Sequence, residues 1–513
     1  MKFTLSWLKT YLDTDVDLFT ISETLTAIGL EVEEVIDPTE DLKPFVIAKI
    51  EKTEQHPNAD KLRVCTVNNG NEIIQVVCGA PNAKAGLIGA FAPSGCTIPT
   101  NGLKLKPSNI RGVDSNGMMC SERELGLGDD HDGIIELPSD APIGASFADY
   151  ANLNDPTIEI AITPNHQDAL GVYGIARDLA AAGIGTLIKP DISKISGNFK
   201  SPITINIVDK NACPVFAGRY IRGVKNGPSP EWMQRRLISL GMKPISALVD
   251  ITNFMTHDYG RPLHVFDADN IAGNLKVRLS KSGEKLLALD EKEYVFDDQV
   301  CVISDNKAIN SIGGVMGGAG SGTYDETKNV FLECAWFDPI RTAMTGRKLG
   351  IESDARYRFE RGVDPSTVLD GIEIATRLIL DMCGGQPSEV EVSGKVPVIS
   401  KTIIMRPERV KELGGINISK AEVIDILKRL GFKVTDNDKT LEVTSPSWRC
   451  DIDREPDLVE EVLRIYGYNK IVGEPLPASS RDIVAGLSPM QKRIRMAKRR
   501  AAVCGLREVI TWS

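Results

Sequence analysis

Histidine is scarce in this chain of 513 residues, with five copies, and the ten cysteines are scattered with no two in a C-x-x-C spacing. The missing pairs exclude a zinc ribbon or a thioredoxin-type site. Disulfide scaffolds are short and cysteine-dense, which this chain is not, so reduced thiols are expected. No G-x-S-x-G elbow is present, nor the G-K-[ST] ending of a phosphate loop, nor a dinucleotide-type G-x-G-x-x-G register. The chain therefore carries no nucleophilic triad signature and no nucleotide-phosphate loop of its own. Long apolar runs are also missing: one of the longer ones, Leu179 to Ile188, is about half of the ~20 residues that a membrane crossing needs. The N-terminal apolar stretch is too short for a signal peptide, so a cytoplasmic chain with no membrane partner is expected. Finally there is no excess of positive charge. Sixty basic against seventy acidic residues leave a net −10, which counts against a uniformly basic nucleic-acid binder, and DNA is not expected as a partner.

What is present is an ordinary globular composition, 42% hydrophobic and 25% charged. A single core stops growing near ~250–300 residues, so the length predicts several domains. Residues 1–39 read as a small α+β unit, with 152–200 as a candidate completion of it. Residues 40–150 change to short β-rich runs separated by Gly, Pro and Asn, which fits a five-stranded barrel of the oligonucleotide-binding (OB) type. Residues 201–400 mix helix and strand. Residues 401–477 form a second small α+β unit, helix-turn-helix-like, and 478–513 open a further domain with a basic helix at Gln491–Ala502. The fold class is thus α+β multidomain. Val16-x8-Leu25-x2-Ile28-Gly29-Leu30-x-Val32 is echoed by Ile418-x8-Leu427-x2-Leu430-Gly431-Phe432-x-Val434, marking two similar small units rather than a solenoid.

Three constellations could carry chemistry. Asp451, Asp457, Glu460 and Glu461 lie around Pro456, which suits a first helical turn and puts the last three at i, i+3 and i+4. A few convergent carboxylates suffice for Mg²⁺, although the same spacing also suits acids that complement a helix dipole. The cluster Gly313-Gly314-Val315-Met316-Gly317-Gly318 allows close approach to the backbone, or is a plain turn. The stretch 341–361 holds Arg341, Arg347, Lys348, Arg356, Arg358 and Arg361 against Glu352, Asp354 and Glu360, a local +3 that a phosphate backbone would favour.

His56-Pro57-Asn58-Ala59-Asp60-Lys61-Leu62, Val77 to Asn82, Ile110 to Val113 and Gly117 to Leu127 resemble a tRNA-binding barrel. Together with Arg261 to Asp267, Gly314 to Gly318, Leu332-Glu333-Cys334-Ala335, Arg358 to Pro365 and Tyr466-Gly467-Tyr468, they resemble the bacterial phenylalanine–tRNA ligase β subunits of the type 1 family. The likeness runs in order along the chain, and because the family's β subunits continue further, it is that of an N-terminal fragment lacking the last third.

The resemblance implies an α2β2 heterotetramer that joins phenylalanine to tRNA(Phe) using ATP, with the ATP site on the α subunit. It implies tRNA contacts and hydrolytic editing of tyrosyl-tRNA on this chain. A pocket for phenylalanine rejects tyrosine, its hydroxylated analogue, by only ~10²-fold, so a second sieve is needed. By the family pattern the editing pocket comprises Glu333 as acceptor for the tyrosine hydroxyl, with His264, Asn253, Lys243, Gly317, Ser353 and Ala355 around it. Asp451, Asp457, Glu460 and Glu461 are the implied ligands of one Mg²⁺ per β subunit. Three positions depart from the pattern: Lys243 stands where arginine is usual, Ser353 where threonine is usual, and Arg356 replaces a small residue. The rival readings are a free-standing hydrolase of mischarged tRNA and a non-catalytic tRNA-binding or assembly module.

Overall fold

The computed structural model describes every residue except 129, 152, 474–485 and 512–513. Contacts divide the chain into a large unit, Met1–Lys470, and a small one, Ile471–Ser513.

In the large unit the first strand, Lys2–Thr4, and the strand Val32–Ile36 both pair antiparallel with Thr157–Ile160, which lies between them. Residues 40–150 are carried between these partners. They fold as a five-stranded antiparallel sheet in the order Met118–Met119, Ile88–Ala92, Val46–Gln55, Arg63–Asn68, Ile73–Cys78. The Asn116 N–H donates to the carbonyl of Gln75 at 2.9 Å, drawing the first strand toward the last and nearly closing a barrel. Two buried clusters fill it, one around Phe45, Ile47 and Phe147 and one around Ile50, Val67 and Phe91. Gly70 and Gly95, among the glycines that separate the β-rich runs, both take positive φ, where any Cβ is disfavoured.

The middle of the chain is two stacked sheets. One holds His264–Asp267, Asn329–Trp336, Val215–Arg222 and Gln386–Gly394, all antiparallel. The other holds Ile205–Ile207, Leu275–Leu279, Cys301–Ser304, Ile309–Ile312 and Met316–Gly317, its first pair parallel. Strand period two divides the central strand cleanly. Val330, Leu332 and Cys334 join a core shared with the helices Ala247–Asp258 and Val368–Cys383. Phe331 and Ala335 join the layer between the sheets, with Phe216, Phe266 and Val277.

The helix-side core is continuous with that of the N-terminal segment. Trp7 stacks on Phe254 with 5.4 Å between ring centroids, and its indole N–H donates to Asp258 at 2.6 Å. Residues 401–470 form a three-stranded sheet, Thr402–Met405, Thr440–Thr444 and Lys433–Asn437, with the helices Lys420–Arg429 and Glu455–Tyr466. The internal echo is a structural one. Helix Leu18–Ala27 and helix Lys420–Arg429 each end in a glycine with positive φ, Gly29 and Gly431, which turns the chain into a strand.

The small unit contains one helix among its described residues, Pro489–Val503. It carries six Lys and Arg, no Asp or Glu, and no buried side chain. Residues 509–511, whose sequence is strand-like, form no strand, while Trp512 and Ser513, and the end of the 401–477 unit at Glu474–Pro477, lie outside the described residues. No described helix is long and apolar enough to cross a membrane.

Candidate functional site

The best-formed polar site lies between the stacked sheets. Glu333 sits on the central strand Asn329–Trp336, directly opposite His264 on one neighbour and Gly218 on the other. Opposed residues of an antiparallel pair project to the same face, so the carboxyl and the imidazole share the gap between the sheets. Gly218 makes room on that face for the Phe331 ring, from which a Cβ would stand 2.2 Å. Glu333 is buried and its Oε2 has no hydrogen-bond partner. His264 Nε2 is likewise enclosed and unpaired, while the ring packs edge-on against Phe266 at 4.4 Å between centroids.

Burial without a counter-ion penalises the charged form of either group. It pushes the Glu333 carboxyl up to about 8 and the His264 imidazole down to about 4. At neutral pH this is an uncharged pair, a carboxylic acid that both donates and accepts beside a neutral imidazole. Glu333, expected from the family pattern as an acceptor, is thus a donor as well, because no cation among the described residues holds it in the charged form.

Gly317, from the facing sheet, closes the site. A Cβ on it would lie 2.4 Å from His264 Cε1, 2.9 Å from His264 Nε2 and 3.0 Å from Leu289 Cδ1. Glycine is needed here for space, not for conformation, since its φ is not positive. Ser353 reaches the same corner from another direction. It caps the helix Asp354–Phe359, accepting from the Arg356 N–H at 3.1 Å, and donates to the carbonyl of Val315 at 2.6 Å. Ala355 is half-buried against the layer between the sheets. The Arg356 departure is absorbed locally: its guanidinium bonds Glu360 and the Ile351 carbonyl, and its stem lies across Gly346, where a Cβ would come within 2.1 Å.

Asn253 and Lys243 are placed less tightly. Asn253 is half-buried on the helix Ala247–Asp258, and Lys243 is exposed in the segment before it. Neither makes a side-chain hydrogen bond to Glu333, His264 or Ser353 among the described residues. Sequence reasoning missed Gly218, Phe266 and Leu289 as members of this site. Phe266 lay within the Arg261–Asp267 motif, whereas Gly218 becomes visible only once its strand is paired.

The carboxylates read as Mg²⁺ ligands do not form a coordination shell. Among the described residues no group of three or more His, Cys, Asp or Glu is arranged to hold a metal ion. Asp457 caps its helix, accepting the backbone N–H of Asp453 and Arg454 at 2.9 and 2.8 Å. Glu460 is exposed, and Glu461, one residue on, is fully buried against Arg449 and Arg464. Consecutive helical residues are about 100° apart, so the i, i+3, i+4 face splits between solvent and core. As placed, these residues do not fit the ion.

The +3 stretch is also largely neutralised inside the fold. Lys348 pairs with Asp297, Arg356 and Arg361 with Glu360, and Arg358 with Asp354, while Arg341 donates to the Gln299 carbonyl. Arg341, Arg347 and Lys348 line a cleft of about 560 Å³ beside the exposed Ile340 and Met344. The barrel has its own cleft of about 530 Å³, walled by Val77, Met118, Met119 and Pro81 and edged by His131 and Glu124. Residues 45–146 hold nine Lys and Arg against twelve Asp and Glu, a net of −3.

Comparison with known proteins agrees along the whole chain. A family described as a putative tRNA binding domain matches residues 45–146, the B3/4 domain matches 212–384, and the tRNA synthetase B5 domain matches 403–468. The phenylalanine–tRNA ligase beta subunit of Mesorhizobium japonicum is 55% identical, the alignment covering 100% of this chain and 64% of that protein. That of Bradyrhizobium diazoefficiens is 51% identical with the same coverage. A solved N-terminal fragment of the Pyrococcus horikoshii phenylalanyl-tRNA synthetase beta-subunit aligns at 15% identity over 61% of this chain and 88% of that one, with a TM-score of 0.34. Every residue aligns to such relatives and all three family matches fall in order, so the chain is similar throughout to phenylalanine–tRNA ligase beta subunits and spans 64% of the length of those two relatives.

Proposed function

We propose that the chain serves as the β component of a phenylalanine–tRNA ligase and that its pocket at Glu333 hydrolyses tyrosyl-tRNA(Phe). Ligation itself, the ATP-dependent joining of phenylalanine to tRNA(Phe), falls in this reading to an α subunit that binds ATP, in an α2β2 assembly in the cytoplasm. The observation that carries the editing role is the buried, unpaired Oε2 of Glu333, facing the equally unpaired Nε2 of His264 next to Gly317.

A tyrosine hydroxyl can both donate to and accept from a neutral carboxylic acid, so it satisfies a group that otherwise stays orphaned. Phenylalanine fills the same space and leaves it unsatisfied, a difference of about 1–3 kcal/mol, or roughly five- to 150-fold. Gly317 leaves room for the His264 ring beside the pocket, and the Ser353–Val315 hydrogen bond fixes the adjoining loop. The one hydroxyl read into the pocket, that of Ser353, is engaged with the Val315 carbonyl and the Arg356 N–H, so water attacks the ester carbonyl carbon, the tRNA ribose oxygen leaves with a proton, and tyrosine is released as the free acid. The residues contribute by orienting the ester. No step runs through Mg²⁺, because the four carboxylates do not fit it as placed.

The test is deacylation of tyrosyl-tRNA(Phe) and phenylalanyl-tRNA(Phe) by the purified chain. Tyrosine should be released in preference to phenylalanine, and the preference should vanish in Glu333→Ala. Release of neither amino acid, from chain alone or chain with its α partner, would overturn the editing role.

A further inference from the structure

The carboxylates Asp451 and Glu461 belong to a buried ion network that joins two distant parts of the chain. Both oxygens of Glu461 are taken: Oε1 accepts from Arg449 Nη2 at 2.9 Å and Arg464 Nε at 3.0 Å, and Oε2 accepts from Arg464 Nη2 at 2.7 Å and from Arg449 Nη1. Asp451 is held in a two-pronged contact by Arg449 at 2.8 and 2.7 Å. Arg464 turns its other edge on Asp178, at 3.0 and 3.3 Å, and reaches the Ile28 carbonyl at 3.4 Å. Asp178 lies on the helix Val172–Ala182, which packs against the N-terminal segment.

The same seam has three further stitches. Arg177, on that helix, stacks over Trp448 at 4.2 Å. Gln167 donates to the Trp448 carbonyl at 3.1 Å. Arg429 donates to the Ala181 carbonyl. His166 and Asp168 complete the buried set, His166 Nε2 lying 3.8 Å from Glu461.

We infer that Asp451 and Glu461 are internal counter-ions that clasp residues 401–470 to the helix Val172–Ala182, and that Glu461 is not a ligand of a divalent cation. A hard cation takes carboxylate oxygens directly, at about 2.0–2.1 Å for Mg²⁺. Here each oxygen of Glu461 already accepts from two guanidinium groups, and a cation displacing them would leave two buried arginines sharing only Asp451 and Asp178, with the Glu461 charge withdrawn from both. Removing one partner of such a set is strongly destabilising, because it leaves the remaining charges buried and unpaired. The role requires no metal, and it holds whether or not the Glu333 pocket edits tRNA.

The test uses the whole 513-residue chain. Mn²⁺, standing in for Mg²⁺, is titrated against wild type and Glu461→Gln and followed by the electron paramagnetic resonance of the free ion. In parallel, amide exchange is measured over Val172–Ala182 and over the barrel strand Val46–Gln55, with Mg²⁺ and with EDTA. Glu461→Gln and Asp178→Asn should each lower protection of Val172–Ala182 by at least about tenfold, equally in Mg²⁺ and EDTA, and leave the barrel strand unchanged. The Mn²⁺ isotherm of Glu461→Gln should superimpose on that of wild type. Where Glu461→Gln does not fold, Arg464→Lys replaces it, keeping the charge but losing the planar fork. Its Val172–Ala182 protection should fall several-fold. A Mn²⁺ site lost in Glu461→Gln, protection that depends on Mg²⁺, or wild-type protection in the variants would overturn the inference.

Discussion

His264 and Glu333 face each other across one antiparallel strand pair, and the same burial moves their titrations in opposite directions. Glu333 keeps its proton in the folded chain up to about 8, so the unfolded state binds fewer protons between its ordinary 4.5 and 8, and stability falls with rising pH there. His264 resists protonation down to about 4, so it makes stability rise with pH between 4 and its ordinary 6.5. The two slopes oppose each other from about 4.5 to 6.5, and Glu333 acts alone from 6.5 to 8. Each slope has a limit of about 1.4 kcal/mol per pH unit. Glu333→Gln should therefore abolish the loss between pH 6.5 and 8, measured by urea unfolding across that range. A loss that persists in the variant would place the titration elsewhere.

Gly317→Ala should cost activity far more than stability. Its Cβ collides with the His264 ring and with Leu289, the latter half-exposed and free to yield. Deacylation of tyrosyl-tRNA should drop about tenfold or more, since small misplacements of orienting groups are costly. Thermal melting should shift by only a few degrees; an unfolded variant would show that the ring cannot move.

Ser353→Ala removes both a helix cap and the bond to the Val315 carbonyl. The expected loss is about 1 kcal/mol for the cap alone. Ser353→Thr retains the hydroxyl and should melt close to wild type. Equal melting of all three would show that the cap contributes nothing.

Trp7→Phe tests the seam between the N-terminus and the helix Ala247–Asp258. Burial raises Asp258 to about 6, and Trp7 and Tyr11 donate to its two oxygens. Losing one donor should cost about 1–3 kcal/mol. The loss should be greater at pH 8, where Asp258 is charged, than at pH 5, where it is protonated. Unfolding free energies at the two pH values decide it.

Local signals were legible in the sequence wherever the chemistry is local. Gly70 and Gly95 punctuate the barrel because their φ demands it, and Pro456 sits in the first turn of Glu455–Tyr466 as its fixed φ favours. The motif residues Glu333, His264 and Gly317 do converge. What stayed hidden depends on pairing between distant segments. Val215–Arg222 lies between strands more than a hundred residues further on, so Gly218 could not be assigned to the site. Glu461 looked like one of three acids on a helix face, because nothing local announces that Arg449 and Arg464 will fold over it. Whole-chain charge misled in both directions: the barrel is acidic, the 341–361 cations are mostly spent within the fold, and the basic helix Pro489–Val503 is the most positive exposed element among the described residues.

The strand Thr157–Ile160 pairs on one side with Lys2–Thr4 and on the other with Val32–Ile36. During synthesis these early strands have no partner until Ile160 has left the ribosome. At about 5–20 residues per second, that wait is roughly 6 to 25 seconds after Ile36 is made. The barrel, whose strands are all contained within Val46–Met119, can close in the interval. For these segments the order of assembly reverses the order of the chain: the barrel can form before the strands made ahead of it find their partner.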